Sequence, residues 1–355
     1  MTTISSHNDW DQLKEVVVGI ATHAQIPTVD KSTHSFCFAD QSYYDIKPLQ
    51  GSHADDVIGE ANEDLDNLSN TLVNLGVHVL RPNDIDNSKK FSTPDWETTG
   101  WYQYCPRDLL LPLDNMVIEC PSPMRSRYFE TWSLRERLVD AMMSGTKWIA
   151  APKPRLLDSG YQLENLNDPT LLNGEVVFDA PNIVRMGRDL LYQISNSGNM
   201  HGYFWLQTIL GDKYRIHLCQ RFYSFSHFDS TVIPLRPGLV LFNGDRLNPN
   251  FYPPIFKDWD KIFFPGDDVV DVGSNLVGGI SPCSKYIGLN LLNVNEELVI
   301  VDQNQTKLRK VLFEHGIETI ALPMRQARTL SGGFHCVTLD LKRKGELQNY
   351  FESVD

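Results

Sequence analysis

The chain has 355 residues, 41% hydrophobic and 22% charged, an ordinary composition for a folded protein with room for two domains or one large repeat-built domain. Its formal net charge of −13 argues against nucleic acid or an anionic membrane surface as partner, since both need a basic face, and suits a small cationic substrate. No apolar run is long enough to span a membrane, and the first ten residues lack the basic start and apolar core of a secretory signal. The six cysteines (Cys37, Cys105, Cys120, Cys219, Cys283, Cys336) are scattered, with no C-x-x-C pair, and no histidine cluster has zinc spacing. The expectation is a cytoplasmic protein with reduced thiols and no metal. The sequons at Asn67 and Asn304 then carry no meaning.

In chain order, the run Val16-Val17-Val18-Gly19 predicts a buried strand. Residues 21–58 show no period and are expected to be irregular. Leu65, Leu68, Leu72 and Leu75 share one helical face, and Gly76 ends that helix by supplying the left-handed position after it. A strand from Val77 to Leu80 follows, then Pro82.

The same phrase recurs. Leu134, Leu138, Ala141 and Met142 form a helix face ended by Gly145, with Trp148 and Ile149 as the strand. Phe204 to Leu210 reads as helix, Gly211 ends it, and Tyr214, Ile216 and Leu218 alternate. A shorter version without glycine, Ile255 to Trp259, leads into Ile262, Phe263 and Phe264. Leu308, Val311 and Leu312 give the last face, ended by Gly316 and followed by Ile317, Ile320 and Leu322. Five such units predict a ring in which each covers its neighbour's face; a doubly wound parallel sheet is the alternative. The loop holding Gly273, Gly278 and Gly279 lacks the lysine of a phosphate loop and the spacing of a dinucleotide motif. It reads as a turn.

Polar groups follow the repeat: Asp108 after Pro106-Arg107, then Asp179, then Arg188-Asp189, His227 with Asp229, Asp245-Arg246, Ser284-Lys285, and Cys336. Each has a plain structural reading. Asp108, Asp179 and Asp245 can be turn residues, Arg188 and Asp189 a solvated pair, and His227-x-Asp229 one face of a surface strand. Cys336 stands behind Gly332-Gly333, at the start of an expected strand through Leu341. There it is either an exposed nucleophile or an inert buried thiol. His335 is not expected to activate it, since neighbours on a strand point to opposite faces. Together the groups fit one substrate, because Cys with His is an activated nucleophile and several carboxylates suit a planar cation.

These residues, in this order, resemble the arginine:amine amidinotransferase family. The resemblance runs from Asp9-Trp10 almost to the C-terminus. Its markers are Pro106-Arg107-Asp108, Arg127 to Glu130, Lys147-Trp148, Ala151 to Pro154, Phe178-Asp179-Ala180, Gly187-Arg188-Asp189, His227-Phe228-Asp229, Asp245-Arg246, Ser284-Lys285 and Gly333 to Cys336. It implies an α/β fold over residues 1–355 as a single domain, a five-bladed propeller (the pentein fold) with pseudo-fivefold symmetry. It implies no cofactor, and L-arginine and an amine acceptor as substrates; a homo-oligomer is left open. It also implies roles: Cys336 as the nucleophile that takes the amidino group, His227 as acid and base, and Asp179 as its paired carboxylate. Asp108 and Asp229 would grip the guanidinium, Arg246 and Ser284 hold the arginine carboxylate and amine, and Tyr102 line the site.

The chain departs from the family pattern at Ser224 and Ser226, where glycine-using members carry methionine and asparagine, and at Asn182, where a second acid is usual. The serines imply a roomier acceptor site with hydroxyl partners, Ser226 among its contacts, and put lysine, or an amino-cyclitol, ahead of glycine as acceptor. Two rivals remain at this point: a hydrolase resembling arginine deiminase, and a non-catalytic scaffold of the same fold.

Overall fold

The computed structural model describes residues 3–220, 222 and 225–351; Ser224 lies outside them. Five three-stranded sheets repeat one plan: an antiparallel hairpin, then a crossover to a third strand parallel to the middle one. In the third sheet Ile183–Met186 pairs with Asp189–Gln193 around Gly187, at φ 67°. Helix Met200–Leu210 then leads to Arg215–Cys219. The second sheet is Leu110–Leu113, Met116–Glu119 and Lys147–Ala150, with helix Arg135–Met143. The fourth is Val232–Arg236, Leu239–Asn243 and Asp260–Phe264, its crossover reduced to the single turn Pro254–Phe256. The fifth is Leu292–Asn295, Leu298–Asp302 and Glu318–Leu322, with helix Thr306–Glu314.

The first sheet is assembled from both ends of the chain. Thr338–Lys344 pairs antiparallel with Gln12–Val18, and helix Asp55–Asn74 leads from there to His78–Leu80. A single doubly wound sheet is thereby excluded. Four units use glycine as expected: Gly76, Gly145, Gly211 and Gly316 have φ of 79°, 102°, 54° and 75°, values that would strain any residue carrying a Cβ.

The core explains why the units occur together. Leu111 and Ile118 of the second unit share an apolar cluster with Leu190 and Leu206 of the third. Val184 and Leu191 of the third meet Val240 and Phe242 of the fourth. Leu241 and Ile262 of the fourth meet Val299 and Leu308 of the fifth. Ile300 and Leu322 of the fifth meet Val16 and Leu65 of the first, while Val17 and Leu339 of the first meet Leu110 and Leu138 of the second. Each unit buries its face on the next, and the last on the first.

Several local expectations are corrected. Leu75 and Met142 are 38% and 44% exposed and do not belong to the apolar faces read for them. The stretch 21–58 contains helix Lys31–Cys37, capped by Asp30, whose carboxylate accepts from Thr33 N at 3.0 Å. Periodicity missed it because Lys31 to Ser35 are polar, several of them buried, and only Phe36 and Cys37 are apolar. Asp189 is not solvated with Arg188: it is buried and accepts from Arg215 at 2.6 Å and pairs with His217 at 2.7 Å. Among the described residues no helix is long and apolar enough to cross a membrane.

Candidate active site

Each unit sends a polar residue from the loop that enters its first strand. Asp108 sits in the single turn Pro106–Leu109, and Asp179 precedes the turn Ala180–Asn182. His227 and Asp229 lie in the bends before Val232, Ser284 precedes Leu292, and Cys336 precedes Thr338. Arg246 comes instead from the turn after Leu239–Asn243. His227 and Asp229 therefore do not share a strand face, yet both reach the site. A cavity of about 630 Å³ is lined by Ser226, His227, Asp229, Arg246, Ser284 and Cys336, among others.

Cys336 is in a turn, not at the mouth of a strand, and this changes the reason for setting His335 aside as its base, though not the outcome. His335 and Cys336 both face Asp229: His335 Nδ1 lies 2.8 Å and Cys336 Sγ 3.4 Å from Asp229 Oδ2. Asn290 fixes the turn, its Oδ1 accepting from Cys336 N at 3.0 Å and its backbone oxygen from His335 N at 3.3 Å. The two glycines are needed for close approach. A Cβ on Gly332 would lie 2.5 Å from Cys105 Sγ, and one on Gly333 2.8 Å from Asn290. The positive φ of this turn belongs to Ser331, at 58°.

Electrostatics set the resting state. The Cys336 thiol is pushed well above its ordinary value by its hydrogen bond with Cys105, by burial and by the Asp229 charge, against the pull of His227. Burial disfavours a charged His227, but Asp108, the bond to Asp179 and the contact with Cys336 outweigh it and raise its pKa well above the usual value. His227 Nε2 lies 2.9 Å from Asp179 Oδ2, and Nδ1 3.8 Å from Asp108 Oδ1. Burial alone would raise Asp229, yet His335, both as hydrogen-bond donor and by charge, with His227 and Asn290, pulls it down to about 2.

Three candidates stand behind the wall: Asp179, which holds His227, and Asp108 and Tyr102. Asp108 accepts from Arg127 Nη1 at 2.6 Å and leaves Oδ1 without a hydrogen bond. Arg127 also donates to Glu130 at 2.8 and 2.6 Å, which accounts for that marker pair. Tyr102, expected to line the site, does not reach the cavity. It is fully buried, packed on Trp101 at 4.1 Å between ring centroids and under Arg127 at 5.3 Å. Its bulk supports the arginine that holds Asp108.

On the opposite wall Arg246 donates to Thr231 Oγ1 at 2.6 Å and Ser284 Oγ at 3.1 Å, and lies 4.7 Å from the Tyr286 ring centroid. Asp245 lies in the same turn as Arg246, as expected, and from it accepts from Tyr286 at 2.5 Å and from Gly266 N at 3.1 Å, so it also anchors the wall. Lys285 donates to Gly266 O at 2.9 Å. Sequence reasoning missed Cys37, Asp40, Gln41 and Arg328, which also line the cavity. The first three come from the stretch without a period, where only its density of aspartate, histidine and aromatic residues gave a signal.

No protein-family model matches the chain. Curated relatives do. Inosamine-phosphate amidinotransferase 1 of Streptomyces glaucescens is 43% identical over 350 residues, 99% of each chain. The L-arginine:L-lysine amidinotransferase of Pseudomonas savastanoi pv. phaseolicola is 33% identical over 357 residues, 98% of this chain and 96% of that one. Among solved structures, the inosamine-phosphate amidinotransferase of Streptomyces griseus superposes with a TM-score of 0.95 at 42% identity, covering 99% of this chain and 100% of that one. An amidinotransferase of the saxitoxin biosynthetic pathway of Microseira wollei gives 0.88 at 34%, with the same coverage. A dimethylarginine dimethylaminohydrolase at 14% identity and TM-score 0.58, covering 92% of this chain and 99% of that one, shows the shared pentein fold alone. The chain belongs to the amidinotransferase family. It is an enzyme that transfers amidino groups, and the hydrolase and scaffold readings fall away.

Proposed function

We propose that residues 1–355 form one domain, the five sheets being blades about a pseudo-fivefold axis, and that it moves the amidino group of L-arginine through Cys336 to a primary amine. The observation that carries this is the meeting, at one cavity wall, of Cys336, whose Sγ lies 3.4 Å from Asp229, and His227, held from behind by Asp179 at 2.9 Å. The guanidinium binds Asp229, while Arg246 and Ser284 take the arginine carboxylate and amine; Asp108, behind the wall, acts through His227, whose charged form it favours. The arriving positive charge lowers the Cys336 pKa, so the thiol loses its proton to solvent when the substrate is in place.

The thiolate attacks the guanidino carbon and forms the C–S bond. Protonated His227 gives its proton to the departing nitrogen as the C–N bond breaks, releasing ornithine. His227, now neutral, accepts a proton from the incoming amine as that nitrogen attacks the amidino-cysteine and the C–S bond breaks. Both proton transfers use one imidazole, held by Asp179, and no cofactor enters. Water must be kept from the intermediate for transfer to win.

For the acceptor, the greater identity to enzymes named for inosamine phosphate moves an amino-cyclitol phosphate ahead of lysine. Ser226 lines the same cavity, and Arg246 and Arg328 give its wall cationic groups. The test is mass spectrometry of enzyme quenched with guanidino-labelled arginine, then a chase with an amine panel. An amidino adduct on the Cys336 peptide that passes to the amine is expected. An adduct on Cys283 or Cys37 overturns the assignment of the nucleophile, and fastest transfer to glycine overturns the acceptor class.

A further inference from the structure

We propose that His335 is a positioning residue for amidino transfer, its imidazole holding the Asp229 carboxylate in the orientation and charge that receive the guanidinium. This rests on the reading that Asp229 is the guanidinium's partner. The argument begins with Oδ2 of Asp229, which His335 Nδ1 approaches to 2.8 Å and Cys336 Sγ to 3.4 Å. A carboxylate beside a thiol and away from water tends to take up a proton. A fixed N–H on that oxygen favours the ionised form and withdraws part of the charge pressing on the thiol.

His335 is itself held from behind. Arg107 Nε donates to its backbone oxygen at 2.8 Å, and its Nε2 lies 3.8 Å from Asp9 Oδ1. Asp9 is bonded to Arg185, which is 2.8 Å from Asp340. The charged and titratable groups around Asp229 are therefore His227 on its own loop, His335 and Cys336 on the turn, and Asp9, Arg107, Arg185 and Asp340 behind them. His335 is the link between that rear network and the cavity wall, and its Nδ1 is committed to Asp229, which removes it as the base for the thiol.

The variants His335→Ala, His335→Asn and His335→Gln separate positioning from mere packing. Asn can place an N–H where Nδ1 stands; Gln extends toward Asp9; Ala offers nothing. Two readouts are compared. With arginine as donor, His335→Ala should raise KM by about ten-fold, the loss expected for a hydrogen bond to a charged group, with a smaller effect on kcat, and should move the acid limb of kcat/KM upward. Without any substrate, iodoacetamide alkylation of Cys336 should show its midpoint displaced to higher pH, because the unbridled Asp229 charge presses harder on the thiol. His335→Asn should recover most of both effects and His335→Gln little. If His335→Ala does not fold, the Asn and Gln pair carries the test. Identical behaviour of His335→Asn and the Ala and Gln variants, or a loss of kcat with KM, acid limb and alkylation midpoint unmoved, overturns the proposal. Absence of arginine turnover in the wild type would remove the proposed reaction but leave the alkylation result standing.

Discussion

In the proposed reaction Cys336 must lose a proton and His227 must hold one when arginine is attacked, and the surroundings push both pKa values upward. Rate should therefore climb as pH rises, while thiolate becomes accessible, and fall only when His227 gives up its proton. A kcat/KM profile for arginine should peak on the alkaline side of neutrality. Asp179→Asn removes one of the interactions that raise His227, so the alkaline limb should move to lower pH; an unmoved limb would detach Asp179 from His227. The stability linkage has the same sign. A histidine raised above its unfolded value stabilises the fold below about 6.5 and ceases to do so as pH rises through the folded pKa, so Asp179→Asn should lower Tm most at mildly acidic pH. Residues of this kind were legible in the sequence because their types are costly to place without purpose: a cysteine behind two glycines, a histidine two from an aspartate. Their supports were not. Asn290 and Cys105 act through a backbone contact and a thiol contact across units, and no spacing along the chain encodes either.

The turn from Ser331 to Val337 does what a strand was expected to do. A strand would have sent His335 and Cys336 to opposite faces; the turn sends both to Asp229. The alternating residues after Cys336 were correctly legible as a strand, but its start at Thr338 depends on Asn290 capping the turn from another unit. Two glycines test this element against an ordinary one. A methyl group on Gly332 would collide with Cys105 Sγ at 2.5 Å and the Tyr104 ring at 2.9 Å, so Gly332→Ala should destabilise by about 1–3 kcal/mol, as overpacking does. It should also shift Cys336 and lower kcat/KM. Gly145 has open space around its Cβ position but φ of 102°, so Gly145→Ala should cost about 1–2 kcal/mol of backbone strain and leave the kinetics alone. Thermal melts and steady-state rates on both variants check the contrast; equal kinetic losses would mean that the turn is not built around its contacts. The helix Lys31–Cys37 lies at the same scale. It presents Phe36 edge-on to His227, with 5.4 Å between ring centroids, and its polar sequence hid it from any reading by period.

At the scale of the molecule, the repeat was legible because each unit ends its helix on a glycine or a tight turn, and an apolar face with no partner inside its own unit demands a neighbour. One fastening of the two end strands beyond their pairing was not, since it is a buried charge cluster whose members lie far apart in sequence. Asp340 on the C-terminal strand is 2.7 Å from Arg107, 2.8 Å from Arg185 and 2.9 Å from Arg343, and accepts from Ser6 Oγ at 2.6 Å. It thus joins the first, second and third units. Burial alone would raise its pKa, but the three arginines hold it well below its ordinary 3.8. Asp340→Asn leaves Arg107 and Arg185 with Asp9, and Arg343 with the more distant Asp9 and Asp11, as carboxylate partners, so it should destabilise by about 3–5 kcal/mol, as removing one partner of a buried ion pair does. A carboxylate depressed in the folded state stabilises above its unfolded pKa and loses that contribution as pH falls toward the folded value. The gap between wild type and Asp340→Asn should consequently be full at pH 7 and begin to close below 3.8. Urea unfolding from neutral pH downward measures it. A gap that is small at pH 7, or one that widens in acid, would show that the chain ends are held by strand pairing and apolar packing instead of by this cluster.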